Sequence, residues 1–112
     1  MEMPYIKSHY RQEIDARIDQ LAQGIIRQAQ ASGDPAAFAG LLNYACTRLA
    51  LQIVRRLCGR LRYWHIAILT GVFKNIADEF YRRVAAAYED QQLAHNGDVD
   101  LFQEYLGEIE KL

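Results

Sequence analysis

Arginine and tyrosine come together twice in this 112-residue chain, and each set has the types and spacing to hold a phosphorylated ligand. In the first set Arg48 and Arg55 lie seven residues apart, with Tyr44 and Gln52 beside them. On a helix these four share an arc of about 80°. A guanidinium forks two N–H bonds onto a phosphate, and a tyrosine ring offers an aromatic face to a nucleobase. Asn43 sits at the edge of the neighbouring apolar face, where an amide needs a partner. The second set is the run from Glu79 to Asp90, in which Tyr81 and Tyr88, seven apart, flank Arg82 and Arg83. Together they give Asn43, Tyr44, Arg48, Arg55, Tyr81, Arg82, Arg83 and Tyr88 as candidate ligand-binding residues.

Each set also has a purely structural explanation. Asp78–Arg82 and Glu79–Arg83 are i,i+4 pairs with the acid N-terminal, each contributing about 0.2–0.5 kcal/mol to a helix. Tyr81 and Tyr88 would then line a helix seam. The Arg48–Arg55 face can pair with the acids of the C-terminal segment. Thr47, one turn after Asn43, can accept or donate to its amide.

Other chemistries find little support. His9, His65 and His95 are scattered, with no His, Cys or acid at a metal-ligand spacing such as i,i+4, so no metal site is expected. Cys58 stands among Arg55, Arg56 and Arg60, which favour a thiolate, but no base accompanies it. There is no serine elbow and no glycine-rich phosphate loop. Glu79, Glu89 and Asp90 could serve a magnesium-dependent nucleotide hydrolase, yet Glu79 and Asp90 lie three turns apart on one helix and cannot share an ion there. No catalytic residue and no cofactor are expected.

The elements that must position these residues are all helical. Ile14, Ile18, Leu21, Ile25 and Ala29 mark a helix over about 9–31, with Ser8 as N-cap and Gly33 as stop. Asp34-Pro35 opens a second helix over about 35–58, ended by Gly59. Its leucines spread onto the polar side at Leu41 and Leu51, which hints at more than one buried face. Leu69, Phe73, Ile76, Phe80, Val84 and Ala87 mark a third helix over about 62–95, with Gly71 calling for a close helix approach or a kink. That helix would be near 50 Å long, more than three partner helices of one small domain can cover. Asn96-Gly97 stops it, and a short fourth helix over about 100–110 carries Leu101, Phe102, Tyr105, Leu106 and Ile109. The fold expected is a single all-α domain, a helical bundle with residues 99–112 as a C-terminal extension, completed as a homo-oligomer.

Charge is uneven along this fold. The net charge is −1, which does not suggest bulk nucleic-acid binding. Residues 48–83 hold eight Lys or Arg against two acids, and residues 84–112 hold seven acids against one Lys. A basic middle and an acidic end can neutralise each other within a chain or between copies. No apolar run approaches 18 residues and the N-terminus shows no hydrophobic signal core, so no membrane partner is expected. Cys46 and Cys58, twelve residues apart on one helix, are too far apart for a disulfide. A cytoplasmic location is the expectation.

The pattern Leu42-Asn43-Tyr44, Thr47-Arg48-Leu49, Arg62-Tyr63, Gly71-Val72, Glu79-Phe80-Tyr81-Arg82-Arg83-Val84-Ala85-Ala86, Tyr88-Glu89-Asp90 and Asn96-Gly97-Asp98-Val99, with the opening Met3-Pro4-Tyr5-Ile6-Lys7, resembles a family of small proteins found in bacteriophages and prophages. The resemblance spans roughly residues 3–99 and carries no assigned activity. It implies a phage-linked origin and the cytoplasm of a bacterial host. Small phage proteins of other kinds sequester nucleotide immune signals as compact oligomers. Two readings follow: an oligomeric, non-enzymatic binder of a phosphorylated or nucleotide-like ligand that blunts host defence, and an interaction module that grips a host or phage protein through a helical face.

Overall fold

A computed structural model describes residues 6–112. Residues 1–5, which include the opening Met3-Pro4-Tyr5 of the resemblance and the start of the segment read as lacking a signal core, lie outside the described residues. Among the described residues the fold is all-α, with no strand. Helix α1 spans Ser8–Ser32, α2 spans Ala37–Cys58 and α3 spans Tyr63–Phe80. A π-helical turn, Tyr81–Ala85, leads directly into α4, Ala86–Asn96, and α5 spans Asp100–Glu110. The chain divides into two compact units, Met1–Leu69 and Thr70–Leu112.

In the first unit α1 and α2 pack against each other as a helical hairpin. Gly33 closes α1 in the left-handed conformation, φ 73°, and its N–H donates to the Gln30 carbonyl. The Ser32 hydroxyl adds a bond to the Ala29 carbonyl at 2.7 Å, so two of the last orphan carbonyls are satisfied. Ser8 does not cap α1 as expected; the N-cap position is Lys7, without a side-chain bond, and Ser8 is already helical. Asp34 does satisfy the start of the next element, accepting from the Ala36 N–H at 3.0 Å, but the Asp34-Pro35-Ala36 segment is a turn and α2 begins two residues later than the sequence pattern suggests. Gly59 ends α2, its N–H donating to the Arg55 carbonyl.

The start of α3 carries a cap that the sequence conceals. The Arg62 N–H donates to Nδ1 of His65 at 2.9 Å. This is the back-bonding half of a capping box, with histidine in the place usually held by Glu or Gln. His65 is 4% exposed, and its ring lies 3.8 Å from that of Trp64, centroid to centroid. Nδ1 accepts, and Nε2 is buried without a hydrogen-bond partner among the described residues. Val54 is the one buried hydrophobic side chain among the described residues.

In the second unit the π turn and α4 form one continuous helical run from Tyr81 to Asn96. At Gly71, offered as a place for a close approach or a kink, a Cβ would meet nothing within 4 Å among the described residues, and α3 continues through it. The irregularity comes ten residues later, at Tyr81–Ala85. Gly97 ends α4 with φ 81°, and its N–H donates to the Leu93 carbonyl at 2.8 Å. The apolar residues of α5 stay between 56% and 63% exposed.

Helix α2 is long and apolar enough, by length and composition, to cross a membrane, which the expectation of no such run missed. Arg48 sits mid-helix, and an arginine at the centre of a span costs about 2.5–3.5 kcal/mol on insertion scales.

Candidate functional site

The sequence candidates fall into two places. Tyr44, Arg48 and Arg55 line one groove of the first unit, about 390 Å³ in volume, together with Thr47, Leu51, Gln52, Val54 and Leu61. The helical period explains the gathering: residues 44, 48, 51, 52 and 55 follow each other at steps of three and four, so one face of α2 presents them all. Leu61, in the connection to α3, closes the end of the groove. A second groove of about 430 Å³ runs along the α1–α2 hairpin and shares Tyr44, Arg48 and Gln52, with Leu21, Ile25 and Leu49 as its apolar lining. The two leucines that seemed misplaced on the polar side, Leu41 and Leu51, are lining residues of these grooves.

The groove is cationic and unneutralised. Among the described residues neither Arg48 nor Arg55 forms an ion pair. Arg55 and Arg56 belong to the last turn of α2, where the negative end of the helix dipole favours a cation by about 0.3–1 kcal/mol. Arg48 lies beyond that turn, so the dipole gives it no partner either. Two guanidinium groups beside an exposed phenol and the Gln52 amide form a set that can fork an anion and stack a planar ring. Asn43 does not join them. It is exposed on α2 and makes no side-chain bond to Thr47 among the described residues. Thr47 contributes to the groove instead.

Tyr81, Arg82, Arg83 and Tyr88 belong to the second unit, and the first three are engaged with neighbouring acids. The Glu79 carboxylate accepts from Arg82 Nη2 at 2.7 and 2.9 Å and lies 3.6 Å from Arg83 Nη1. Arg82 therefore pairs at i,i+3 with Glu79, where the sequence spacing pointed to Asp78 at i,i+4. The hydrogen bond from Arg82, with the charges of Arg82 and Arg83 behind it, holds the Glu79 carboxyl below its usual range. Tyr81 donates its hydroxyl to Glu89 Oε2 at 2.8 Å, and that bond, with the charges of Glu89 and Asp90, pushes the phenol above its usual pKa.

The Tyr81–Glu89 bond is a product of the π turn. Eight residues of α-helix overshoot two full turns by about 80°. A π turn absorbs one extra residue, so the effective step is seven and the two side chains come within about 20° of each other. The sequence reading placed Tyr88 beside Tyr81; the structure brings Glu89 there, one residue further on. Two of the three acids weighed for metal binding thus have partners: Glu79 is held by two arginines and Glu89 by a phenol.

Sequence reasoning missed His65 as a cap, since an Arg-x-x-His pattern is not a capping box by residue type. It had placed Gln52 on the Arg48–Arg55 arc without giving it a role.

An all-helical chain with a cationic, aromatic-edged groove on its second helix is what the fold and the site define. The chain belongs to the family described as a domain of unknown function, DUF6899, whose model matches residues 3–99 and so includes α2 and the π turn but ends before α5. No curated protein and no solved structure matches it.

Proposed function

We propose that this protein is a non-enzymatic, oligomeric binder of a phosphorylated, nucleotide-like ligand, acting in the cytoplasm of a bacterial host as a phage-type accessory protein that sequesters an immune signal. The observation that carries the reading is the pair Arg48 and Arg55, without ion-pair partners among the described residues, lining one groove with Tyr44. Unneutralised guanidinium groups favour a phosphate, and the tyrosine supplies the stacking face. The phage context follows from the resemblance of the motifs. Sequestration needs a groove and affinity, with no bond to be broken. Oligomerisation, and with it a closed helical bundle, is supported by the exposure of apolar residues that one chain leaves open, such as Leu49 at 55% and Phe80 at 62%.

Thermal-shift measurements against cyclic nucleotides and ADP-ribose-derived nucleotides test this. A rise in melting temperature with one phosphorylated ligand, absent with the matching nucleoside and lost in Arg48→Ala/Arg55→Ala, is expected. Each charge-assisted bond lost is about 1.5–3 kcal/mol, roughly tenfold or more in Kd. No shift across the panel and no co-purifying small molecule would remove the basis of the reading.

A second reading, a module that binds a host or phage protein through a helical face, is favoured by α5. Phe102 and Tyr105 are 63% and 61% exposed, and aromatic residues of this kind anchor interfaces. Pull-down from host lysate that yields a specific partner, lost in Phe102→Asp, would favour this reading over the first.

A further inference from the structure

Helix α5 carries a surface that mirrors the arginine face of α2. On its wheel Leu101, Phe102, Tyr105, Leu106 and Ile109 occupy an arc of about 140°. Asp100, Glu104 and Glu108 form the adjoining row, one per turn, about 12 Å long. On α2 the row from Arg48 to Arg55 is about 10.5 Å long, with Leu51 beside it, while Leu49 lies about 100° away beyond Gln52 and Arg56. Both rows are exposed, as are Leu51 and Leu49 of α2, at 50% and 55%, and the apolar arc of α5. Charge follows the same division, with a balance of +6 over residues 48–83 and −6 over residues 84–112.

We infer that α5 of one copy docks on the Arg48–Arg55 row of α2 in a second copy, its apolar arc over the leucines and its acids over the guanidinium groups. Charge and row length agree between the two surfaces, and each row has apolar side chains next to it. Each chain carries both halves, so two copies exchange their C-terminal helices reciprocally, as a two-fold interface requires. The acids of α5 bring the partner's side chains into the groove, where they compete with a phosphate for the same cations. The docking does not depend on the ligand reading, because assembly is read with no ligand present.

Native mass spectrometry of the full chain at low ionic strength tests it with two reversed variants, Arg48→Glu/Arg55→Glu and Glu104→Arg/Glu108→Arg. The unmodified chain is expected as a dimer or larger assembly, and each variant alone as a monomer with unchanged circular dichroism. An equimolar mixture of the two variants should recover an assembly holding one of each, since reversed groove then meets reversed helix and native groove meets native helix. Should a variant lose helicity, the neutral pair Arg48→Gln/Arg55→Gln and Glu104→Gln/Glu108→Gln replaces it, with at least a tenfold weakening expected. A monomeric unmodified chain, variants that keep the unmodified mass, or a mixture that stays monomeric would each overturn the docking; the first would also be the outcome if α5 served its own chain.

Discussion

Arg82 and Arg55 each belong to a set that joins arginine with tyrosine, yet their circumstances differ, and the difference decides which set the proposed ligand would use. Arg82 shares the Glu79 carboxylate with Arg83, while Arg55 has no ion pair among the described residues. Spacing alone could not show this, since i,i+3 and i,i+4 acids are ordinary on any charged helix. Two pH effects belong at this scale. The Glu79 carboxyl is held down by Arg82 and Arg83, so its contribution to stability is present above its unfolded pKa and is lost as pH falls through the lower folded value. Denaturant melts at neutral and acidic pH should therefore show a smaller acid loss for Glu79→Gln than for the unmodified chain; equal losses would contradict the pairing. Tyr81 runs the other way: its raised pKa means the contribution is present below the unfolded pKa and lost as pH rises through the folded one. Tyrosinate absorbance should include a late-titrating component that Glu89→Gln or Tyr81→Phe removes.

At the scale of elements, most of the helical framework was legible. Hydrophobic steps of three and four located α1, α2, α5 and the outer ends of the continuous run from α3 to α4 to within two residues, but read that run as one helix over about 62–95 where the structure ends α3 at Phe80. Helix ends at Gly33, Gly59 and Gly97 were legible for the reason that all three adopt positive φ. The π turn was not. Phe80 and Val84 continue the apolar pattern from Ile76 in two successive steps of four, and a one-residue register shift hides in the normal alternation of threes and fours. Its consequence, Tyr81 facing Glu89, was therefore hidden too. The cap at the start of α3 yields a direct test. His65→Ala removes the acceptor for the Arg62 N–H and should lower stability by about 1–2 kcal/mol in denaturant melts. His65→Gln, which restores a side-chain acceptor at that position, should recover part of the loss. Equal losses in the two variants would mean that burial of the ring, rather than the cap, carries the effect.

For the molecule as a whole, α2 and α5 leave apolar side chains exposed that the proposed assembly would cover. The sequence pointed to this through leucines on two faces of α2 and through opposite charge on the middle and end of the chain. It could not name the groove, because Leu61 enters it from a connection that no helical period describes. Salt should act on the assembly: screening falls to a length of about 3 Å at 1 M, so complexes held by the arginine and acid rows should weaken as ionic strength rises. The central claim is that Arg48 and Arg55 hold a phosphorylated molecule. Native mass spectrometry of the protein purified from a bacterial host measures this most directly. The account predicts an excess mass that tandem fragmentation releases as a phosphorylated small molecule and that Arg48→Ala/Arg55→Ala loses. A bare chain mass that no phosphorylated nucleotide added in excess can shift would contradict it.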